Sequence, residues 1–126
     1  MYHTHLHDRA QLFGGLYGPL IVVERGATFD PEHDYVVVLS RGGPGPSEGP
    51  VLFNGGLKPP TLHWQTGQRY RLRLINFAAS DGIGVNLLAP GKQLQWRATA
   101  RDGADLLPEQ ALMQEASQST TPGENV

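Results

Sequence analysis

The stretch Arg69-Tyr70-Arg71-Leu72-Arg73-Leu74-Ile75-Asn76 alternates between two kinds of side chain over most of its length. Tyr70, Leu72 and Leu74 share one face of an extended chain, and the three arginines share the other. This alternation predicts a β-strand with one face in a hydrophobic core and one face in water. We therefore interpret the arginines as a solvated strand face rather than as a patch for phosphate or for an acidic partner.

Further runs of strand length lie on both sides of this stretch. They are bounded by Gly, Pro or Asp and span residues 19–24, 35–39, 83–88 and 94–100. In the last run Leu94, Trp96 and Ala98 alternate and are expected to face inward, and a turn at Pro90-Gly91 precedes it. Many short strands separated by turns predict an all-β sandwich or barrel.

Three other segments carry distinct local signals. Residues 108–118 are rich in Glu, Gln, Ala, Leu and Met, which predicts a helix there. Residues 42–47 are Gly-Gly-Pro-Gly-Pro-Ser and predict a loop, and residues 54–56 predict a turn. Residues 122–126 predict a turn followed by the beginning of a new strand.

Composition narrows the classes of function. The chain has 126 residues, a formal net charge of -2, 16 Gly, 10 Pro and no Cys. This charge gives no indication of nucleic-acid binding or of binding to an anionic membrane, and no apolar run reaches transmembrane length. The absence of Cys excludes disulfides, thiolate metal ligands and a Cys nucleophile within this sequence. The first residues lack the pattern of a signal peptide, so the sequence leaves the compartment unknown.

The sharpest chemical motif is the pair His3 and His5. In an extended chain these two imidazoles point to the same side, and neutral imidazole suits copper, zinc and iron. His7 continues the alternation and is either a third ligand or, as we favour, a group that supports the ligands or faces solvent. Asp8 either accepts a hydrogen bond from an imidazole or, as we favour, starts a turn.

Other residues with metal-binding or pocket-forming chemistry have simpler interpretations. His33 and His63 lack a partner at ligand spacing and are expected to be structural. Tyr17 and Trp64 are expected to pack in the core or between domains rather than to line a substrate pocket. We interpret Asp102-Gly103 as a turn, and the alternating acids Asp30, Glu32 and Asp34 as a solvated linker rather than a calcium site.

In combination, several motifs resemble the multicopper oxidases, the laccase-like family of cupredoxin β-sandwiches. Tyr2-His3-Thr4-His5 is similar to the second His-x-His motif of that family. Residues 15–22 are similar to the turn and the strand that follow this motif in the family. Residues 53–55 and 67–76 resemble the first half of the family's second domain, and residues 100–103, 108 and 122–123 resemble its later part. The resemblance covers nearly the whole chain and is strongest at residues 2–22 and 66–76.

The resemblance implies a cupredoxin-like Greek-key β-sandwich that is incomplete at both ends. Residues 1–25 would end a first cupredoxin domain, residues 26–33 would form a linker, and residues 34–126 would form a second domain that lacks its last strand. His3 and His5 would bind copper, as ligands of the coupled pair in a three-copper cluster. The implied partners are dioxygen, a small reducing substrate and the remaining cupredoxin domains, and the implied location of the parent enzyme is periplasmic or secreted.

The sequence departs from the family pattern in several respects. It contains one His-x-His motif where the family has four, and it has no Cys to hold the electron-accepting copper. We therefore expect a fragment of a longer oxidase, begun at an internal Met and inactive by itself. The alternatives are a non-enzymatic β-sandwich interaction module with a His-rich metal-binding tail, or an assembly in which several copies of the chain combine His3, His5 and His7.

Overall fold

The computed structural model describes residues 1–42 and 49–126, so the predicted loop at 42–47 lies almost entirely outside the described residues. The described chain is mostly β-strand and almost free of helix, which confirms the all-β prediction. Its elements in chain order are β1 (Tyr2–His3), α1 (Asp8–Phe13), β2 (Tyr17–Gly18), β3 (Asp34–Arg41), β4 (Val51–Phe53), β5 (Arg71–Asn76), β6 (Ile83–Asn86), β7 (Leu88–Ala89), β8 (Lys92–Gln93), β9 (Gln95–Arg97), β10 (Ala100–Arg101), β11 (Ala104–Asp105), β12 (Met113–Glu115) and β13 (Ser117–Thr120).

The predicted strands at 35–39 and 69–76 form the centre of the molecule. β3 lies between β4, to which it is antiparallel, and β5, to which it is parallel. The β-branched run of β3 suits a strand that is paired on both edges. The end of the chain extends this sheet, because the backbone of Val126 exchanges two hydrogen bonds with Leu74 on the outer edge of β5. The predicted turn is confirmed at residues 122–123, whereas the predicted strand is reduced to an isolated antiparallel bridge between Asn125 and Ile75.

A second group of strands follows β5. β6 pairs with β13, and β9 pairs with β12, both antiparallel. Ala116 stands between β12 and β13, where its N–H donates to Leu94 and its carbonyl accepts from Leu87. β7 and β8 form the hairpin predicted at residues 90–91, and Gly91 adopts a φ of 75° that its missing Cβ permits.

The two groups of strands enclose one hydrophobic core. Its buried members are Val37 and Leu39 of β3, Leu74 of β5, Ala78 and Ile83. Val51, Phe53, Leu72, Val85 and Trp96 are half-buried against them. In the segment around β9, residues 94, 96 and 98 are half-buried whereas residues 95, 97 and 99 are exposed, which confirms the predicted inward face.

The N-terminal residues form a small unit that packs on the rest of the molecule. β1 pairs with β2, and α1 between them buries Leu12 and Phe13. The ring of Tyr17 stacks on Phe77 at a centroid distance of 4.5 Å. The prediction that Tyr17 has a packing role agrees with this contact, whereas the domain boundaries at residues 25 and 34 remain predictions.

Two predicted elements are wrong. Residues 19–24 form no strand, because no described strand pairs with them, and Leu20 and Val22 remain 63% and 79% exposed. Residues 108–118 contain a turn and β12 instead of a helix. Pairing of Met113–Glu115 with β9 and complete burial of Ala116 outweigh the local helix propensity there.

The arginine face is only partly solvated. Arg71 is exposed as expected, but Arg73 is half-buried and ion-paired with Asp34. Asp102 and Gly103 have positive φ values and connect β10 to β11, so the predicted turn is confirmed. Within residues 1–42 and 49–126, no helix combines the length and the hydropathy that crossing a membrane requires.

Candidate functional site

The His-x-His motif lies at the exposed end of the N-terminal unit. His3 pairs with Tyr17 across β1 and β2, and Tyr2 pairs with Gly18. The ring of Tyr2 lies directly over Gly18, where an added Cβ would overlap it. Glycine at this position therefore leaves room for the Tyr2 ring, and the pairing of β1 with β2 fixes the backbone of the first histidine.

The two imidazoles lie next to each other. The ring centroids of His3 and His5 are 4.6 Å apart, with an angle of 39° between the ring planes, and both residues are exposed. His3 Nδ1 lies 3.0 Å from the carbonyl oxygen of Thr4. Because a carbonyl only accepts, Nδ1 carries the proton in this contact, and the Nε2 lone pair of a neutral His3 is the one available to a metal.

Thr4, between the two histidines, is fixed by local hydrogen bonds. Its hydroxyl contacts the side-chain Oε1 of Gln11 on α1, and it accepts a 3.3 Å hydrogen bond from the backbone N–H of Leu6. The short helix thereby holds the backbone that separates His3 from His5.

His7 departs from the predicted alternation. β1 ends at His3, and His7 adopts the left-handed region, with φ 50° and ψ 40°, immediately before α1. Its carbonyl accepts from the N–H of Gln11 at 3.1 Å, which begins the helix. Asp8 is the first residue of α1 rather than part of a turn. Among the described residues, no group of three or more His, Cys, Asp or Glu side chains is arranged to hold a metal ion.

A second candidate site is a surface cleft of about 560 Å³ at the N-terminal ends of β3 and β5. We call it the aromatic cleft. Its lining residues are mostly polar or aromatic: Pro31, Glu32, His33, Tyr35, His63, Gln65, Gln68 and Tyr70. The two histidines predicted to be structural therefore share one concave surface.

Aromatic rings form a continuous stack beside this cleft. Tyr70 lies between Trp64, at 4.9 Å and an interplanar angle of 7°, and His33, at 5.3 Å and 24°. Tyr35 contacts both Trp64 and Tyr70 at angles near 40°. The expected packing role of Trp64 agrees with these contacts, and the stack gives the cleft a rigid wall.

Hydrogen bonds orient two of the lining side chains. His33 Nδ1 lies 2.9 Å from a carboxylate oxygen of Asp30, and this hydrogen bond, helped by the backbone N–H of Glu32, lowers the pKa of Asp30 below 3.8. The hydroxyl of Tyr70 accepts a 2.9 Å hydrogen bond from the backbone N–H of Gln65. Asp30 and Asp34 are thus engaged with His33 and Arg73, unlike the free acids of a solvated linker.

The register of two strands creates the aromatic cleft, and sequence reasoning missed it for that reason. β3 and β5 run parallel with Tyr35 opposite Leu72, which brings residues 33–35 beside residue 70. The sequence does place aromatic rings near the start of both strands: His33 and Tyr35 around the start of β3, and Tyr70 immediately before β5. These rings were the signal that could have indicated the cleft. Alternation within each strand carries no information about this pairing.

Comparisons of the chain with protein-family models, with curated proteins and with solved structures found no match. A function proposed for it therefore rests on its own residues.

Proposed function

We propose that this chain is part of a laccase-like multicopper oxidase with Greek-key cupredoxin domains, in which His3 and His5 contribute copper ligands. The observation that supports this most directly is the pair of exposed imidazoles with ring centroids 4.6 Å apart. The parent enzyme would couple one-electron oxidation of phenols, aromatic amines or metal ions to the reduction of dioxygen to water.

The donor set of this segment fits copper. Two imidazoles with adjacent rings are suitable ligands, since imidazole is a preferred copper donor. The carbonyl of Thr4 fixes the tautomer of His3 so that Nε2 is left to bind a metal, as partners of metal-bound histidines commonly do. When bound, copper supplies the one-electron redox chemistry and the binding of oxygen.

The chain's own residues hold and orient this donor pair. Pairing of β1 with β2 fixes His3, and the hydrogen bonds of Thr4 set the backbone between the histidines. The stack of Tyr17 on Phe77 anchors the segment to the larger body. These contacts reduce the conformational entropy that two terminal histidines would lose on binding a metal.

Exposed apolar residues support the interpretation as a fragment. Leu20, Val22 and Val23 are exposed in a run of strand length that no described strand pairs. Such a run is typical of a strand whose partner belongs to another domain or subunit. The remainder of a first cupredoxin domain would supply that partner.

The departures from the family pattern limit what the isolated chain can do. It has no Cys for the electron-accepting copper, and it carries one of the four His-x-His motifs. We therefore expect this chain by itself to bind copper weakly and to oxidise no phenol, with the remaining ligands supplied by other domains of the parent or by other copies of the chain.

Copper titration of the purified chain tests the proposal. Copper per chain, oligomeric mass and oxidation of a phenolic dye are measured on the same preparations of the wild-type chain, of a His3→Ala/His5→Ala variant and of a His33→Ala/His63→Ala variant. The last is a matched control that removes two histidines elsewhere. We expect loss of copper binding in the first variant only, with electron paramagnetic resonance signals from nitrogen ligands in the wild-type chain.

The results of this titration distinguish the oxidase fragment from the interaction module and test the assignment of the copper ligands. Equal copper binding by the two double variants would contradict the assignment of His3 and His5. Dye oxidation by a monomeric wild-type chain would contradict its status as a fragment. Copper bound by a stable monomer, with an upstream reading frame that encodes no further His-x-His motif, would favour the interaction module.

A further inference from the structure

We propose that the aromatic cleft binds a neutral sugar ring. The inference concerns residues 31–35 and 63–70 and does not depend on copper binding by the N-terminal segment. The volume of about 560 Å³ lies within the range of roughly 300–1,000 Å³ typical of small-molecule sites. A monosaccharide or a short oligosaccharide end would fit it.

The lining residues favour a ligand that forms many hydrogen bonds. The lining side chains other than Pro31 all carry polar atoms: Glu32, His33, Tyr35, His63, Gln65, Gln68 and Tyr70. Sites for apolar ligands are instead lined mostly by hydrophobic side chains. Amides and hydroxyls both donate and accept, which matches the hydroxyl groups of a sugar.

Two local hydrogen bonds leave complementary groups for such a ligand. His33 Nδ1 donates to Asp30, so the Nε2 of a neutral His33 is an acceptor. The Tyr70 oxygen accepts from the backbone of Gln65, so its own hydrogen can be donated elsewhere. One acceptor and one donor are thus oriented by the fold before any ligand arrives, which reduces the entropic cost of binding.

The charges of the cleft argue against an anionic ligand. Neither Lys nor Arg is among the described residues that line it, and Glu32 is its one carboxylate. A phosphate or carboxylate ligand would therefore meet no fixed cation and one like charge. A sugar without ionised groups avoids this penalty.

The ring geometry argues against a quaternary ammonium ion or an intercalated aromatic ligand. An aromatic cage needs several ring faces directed at one point, but Trp64, Tyr70 and His33 are nearly parallel, with their faces in contact. The centroid spacings of 4.9 and 5.3 Å leave no room for another ring between them. Of these rings, His33 and Tyr70 line the cleft together with Tyr35, and the C–H groups of a sugar can pack against the parts of the three rings that are open to it.

Ligand titration followed by two-dimensional NMR tests the proposal on the full chain. The probes are glucose, galactose, mannose, xylose and cellotriose, with phenol and tetramethylammonium as comparators. We expect at least one sugar to shift amide signals mainly within residues 31–35 and 63–70, with a dissociation constant of about 1–10 mM. The comparators are expected to bind more weakly than that sugar.

Two variants of cleft residues and one control variant test which side chains contribute to the affinity for the sugar. Gln68→Ala removes an exposed amide and Tyr70→Phe removes a hydroxyl while keeping the ring, and each should weaken binding by roughly threefold to tenfold. Gln93→Ala, at an exposed glutamine of β8, is the matched control and should leave the affinity unchanged. Preserved amide dispersion in each variant shows that its fold is intact.

Several results would overturn the proposal. These are the absence of sugar-induced shifts for all five sugars, shifts located outside the cleft, or equal affinities in Gln68→Ala, Tyr70→Phe and Gln93→Ala. Tighter binding of phenol or tetramethylammonium than of any sugar would assign the cleft to an aromatic or cationic ligand instead.

Discussion

Arg73 of β5 forms a forked pair with Asp34 of β3, with Nε 2.8 Å from one carboxylate oxygen and Nη2 2.7 Å from the other. Asp34 pairs with Arg71 in the strand register, so Arg73 reaches diagonally across the parallel pair. The side chains of Arg73 and Asp34 are 26% and 16% exposed, and the hydrogen bond that Arg73 donates to Asp34 raises the pKa of Arg73. This pair therefore helps to fix the register on which the aromatic cleft depends.

Replacing Asp34 by Asn should destabilise the chain. The substitution removes one charge and half of the fork from a half-buried pair, and we expect a loss of about 1–2 kcal/mol in the free energy of unfolding, since partial solvent exposure weakens the pair. Arg71→Lys, at an exposed arginine of the same strand, is the control and should change it by less than about 0.5 kcal/mol. Urea denaturation followed by circular dichroism measures both, and equal effects would contradict a structural role for the pair.

The strands that carry the sheet were predictable because their signals are local. Alternation in residues 69–76 and the β-branched run at 35–39 correspond to β5 and β3. The helix predicted at 108–118 was wrong because pairing with β9 is a long-range interaction that local propensity does not include. The six-residue α1 was missed because its length gives too little periodicity, although the buried Leu12 and Phe13 end it.

The candidate sites were predictable to different extents. His3 and His5 are separated by one residue, a spacing that places two side chains on the same side of an extended chain, so their proximity could be anticipated from the sequence. Extending the same reasoning to His7 failed, because the chain turns into a helix there. The aromatic cleft depends on two parallel strands that are far apart in sequence, and no local pattern specifies which strands pair or in which register.

Asn76 should be among the least replaceable polar residues. It is fully buried, its Nδ2 donates to the carbonyl oxygens of Thr120 and Asp81 at 3.0 and 3.2 Å, and its Oδ1 accepts from the N–H of Ala78 at 2.8 Å. These hydrogen bonds join the end of β5 to β13. Asn76→Ala would remove the side-chain partner of two buried backbone groups, the carbonyl of Thr120 and the N–H of Ala78.

The expected cost of Asn76→Ala is about 2–4 kcal/mol, because each buried group left without a hydrogen bond costs on the order of 1–3 kcal/mol. Asn86→Ala, at an exposed asparagine of β6, is the matched control, with a change below about 0.5 kcal/mol. Chemical denaturation gives both values, and a near-neutral Asn76→Ala would contradict the joining role of this side chain.

The pKa of Asp30 should depend on His33. The hydrogen bond from His33 is the main cause of the lowered pKa, so His33→Phe, which keeps a ring for stacking on Tyr70, should raise it toward 3.8. Because the folded value lies below the unfolded one, this hydrogen bond stabilises the chain above pH 3.8 and is lost as the pH falls through the folded pKa. Carboxyl carbon shifts in an NMR pH titration measure the change.

The control for this titration is His63→Phe, since His63 lies in the same cleft and is absent from the contacts that lower the pKa of Asp30. It should leave the titration of Asp30 unchanged. An unchanged pKa in His33→Phe would show that the backbone N–H of Glu32, rather than the imidazole, dominates the environment of the carboxylate.

The exposed run at residues 20–23 should drive self-association of the isolated chain. Leu20 and Val22 project into solvent from a segment that no described strand pairs, and exposed strand-competent segments of this kind recruit other chains. A Leu20→Lys/Val22→Lys variant should therefore stay monomeric at concentrations where the wild-type chain associates. The matched control, Leu88→Lys/Leu112→Lys, replaces two leucines that are similarly exposed, at 68% and 63%, and should associate like the wild-type chain.

Sedimentation velocity over a range of concentrations distinguishes these outcomes. Two results would contradict this role: equal association of the two double variants, or a wild-type chain that is monomeric at all concentrations. Either result would show that residues 20–23 do not pair with another chain. The proposal that the chain is a fragment would then rest on the histidine pair.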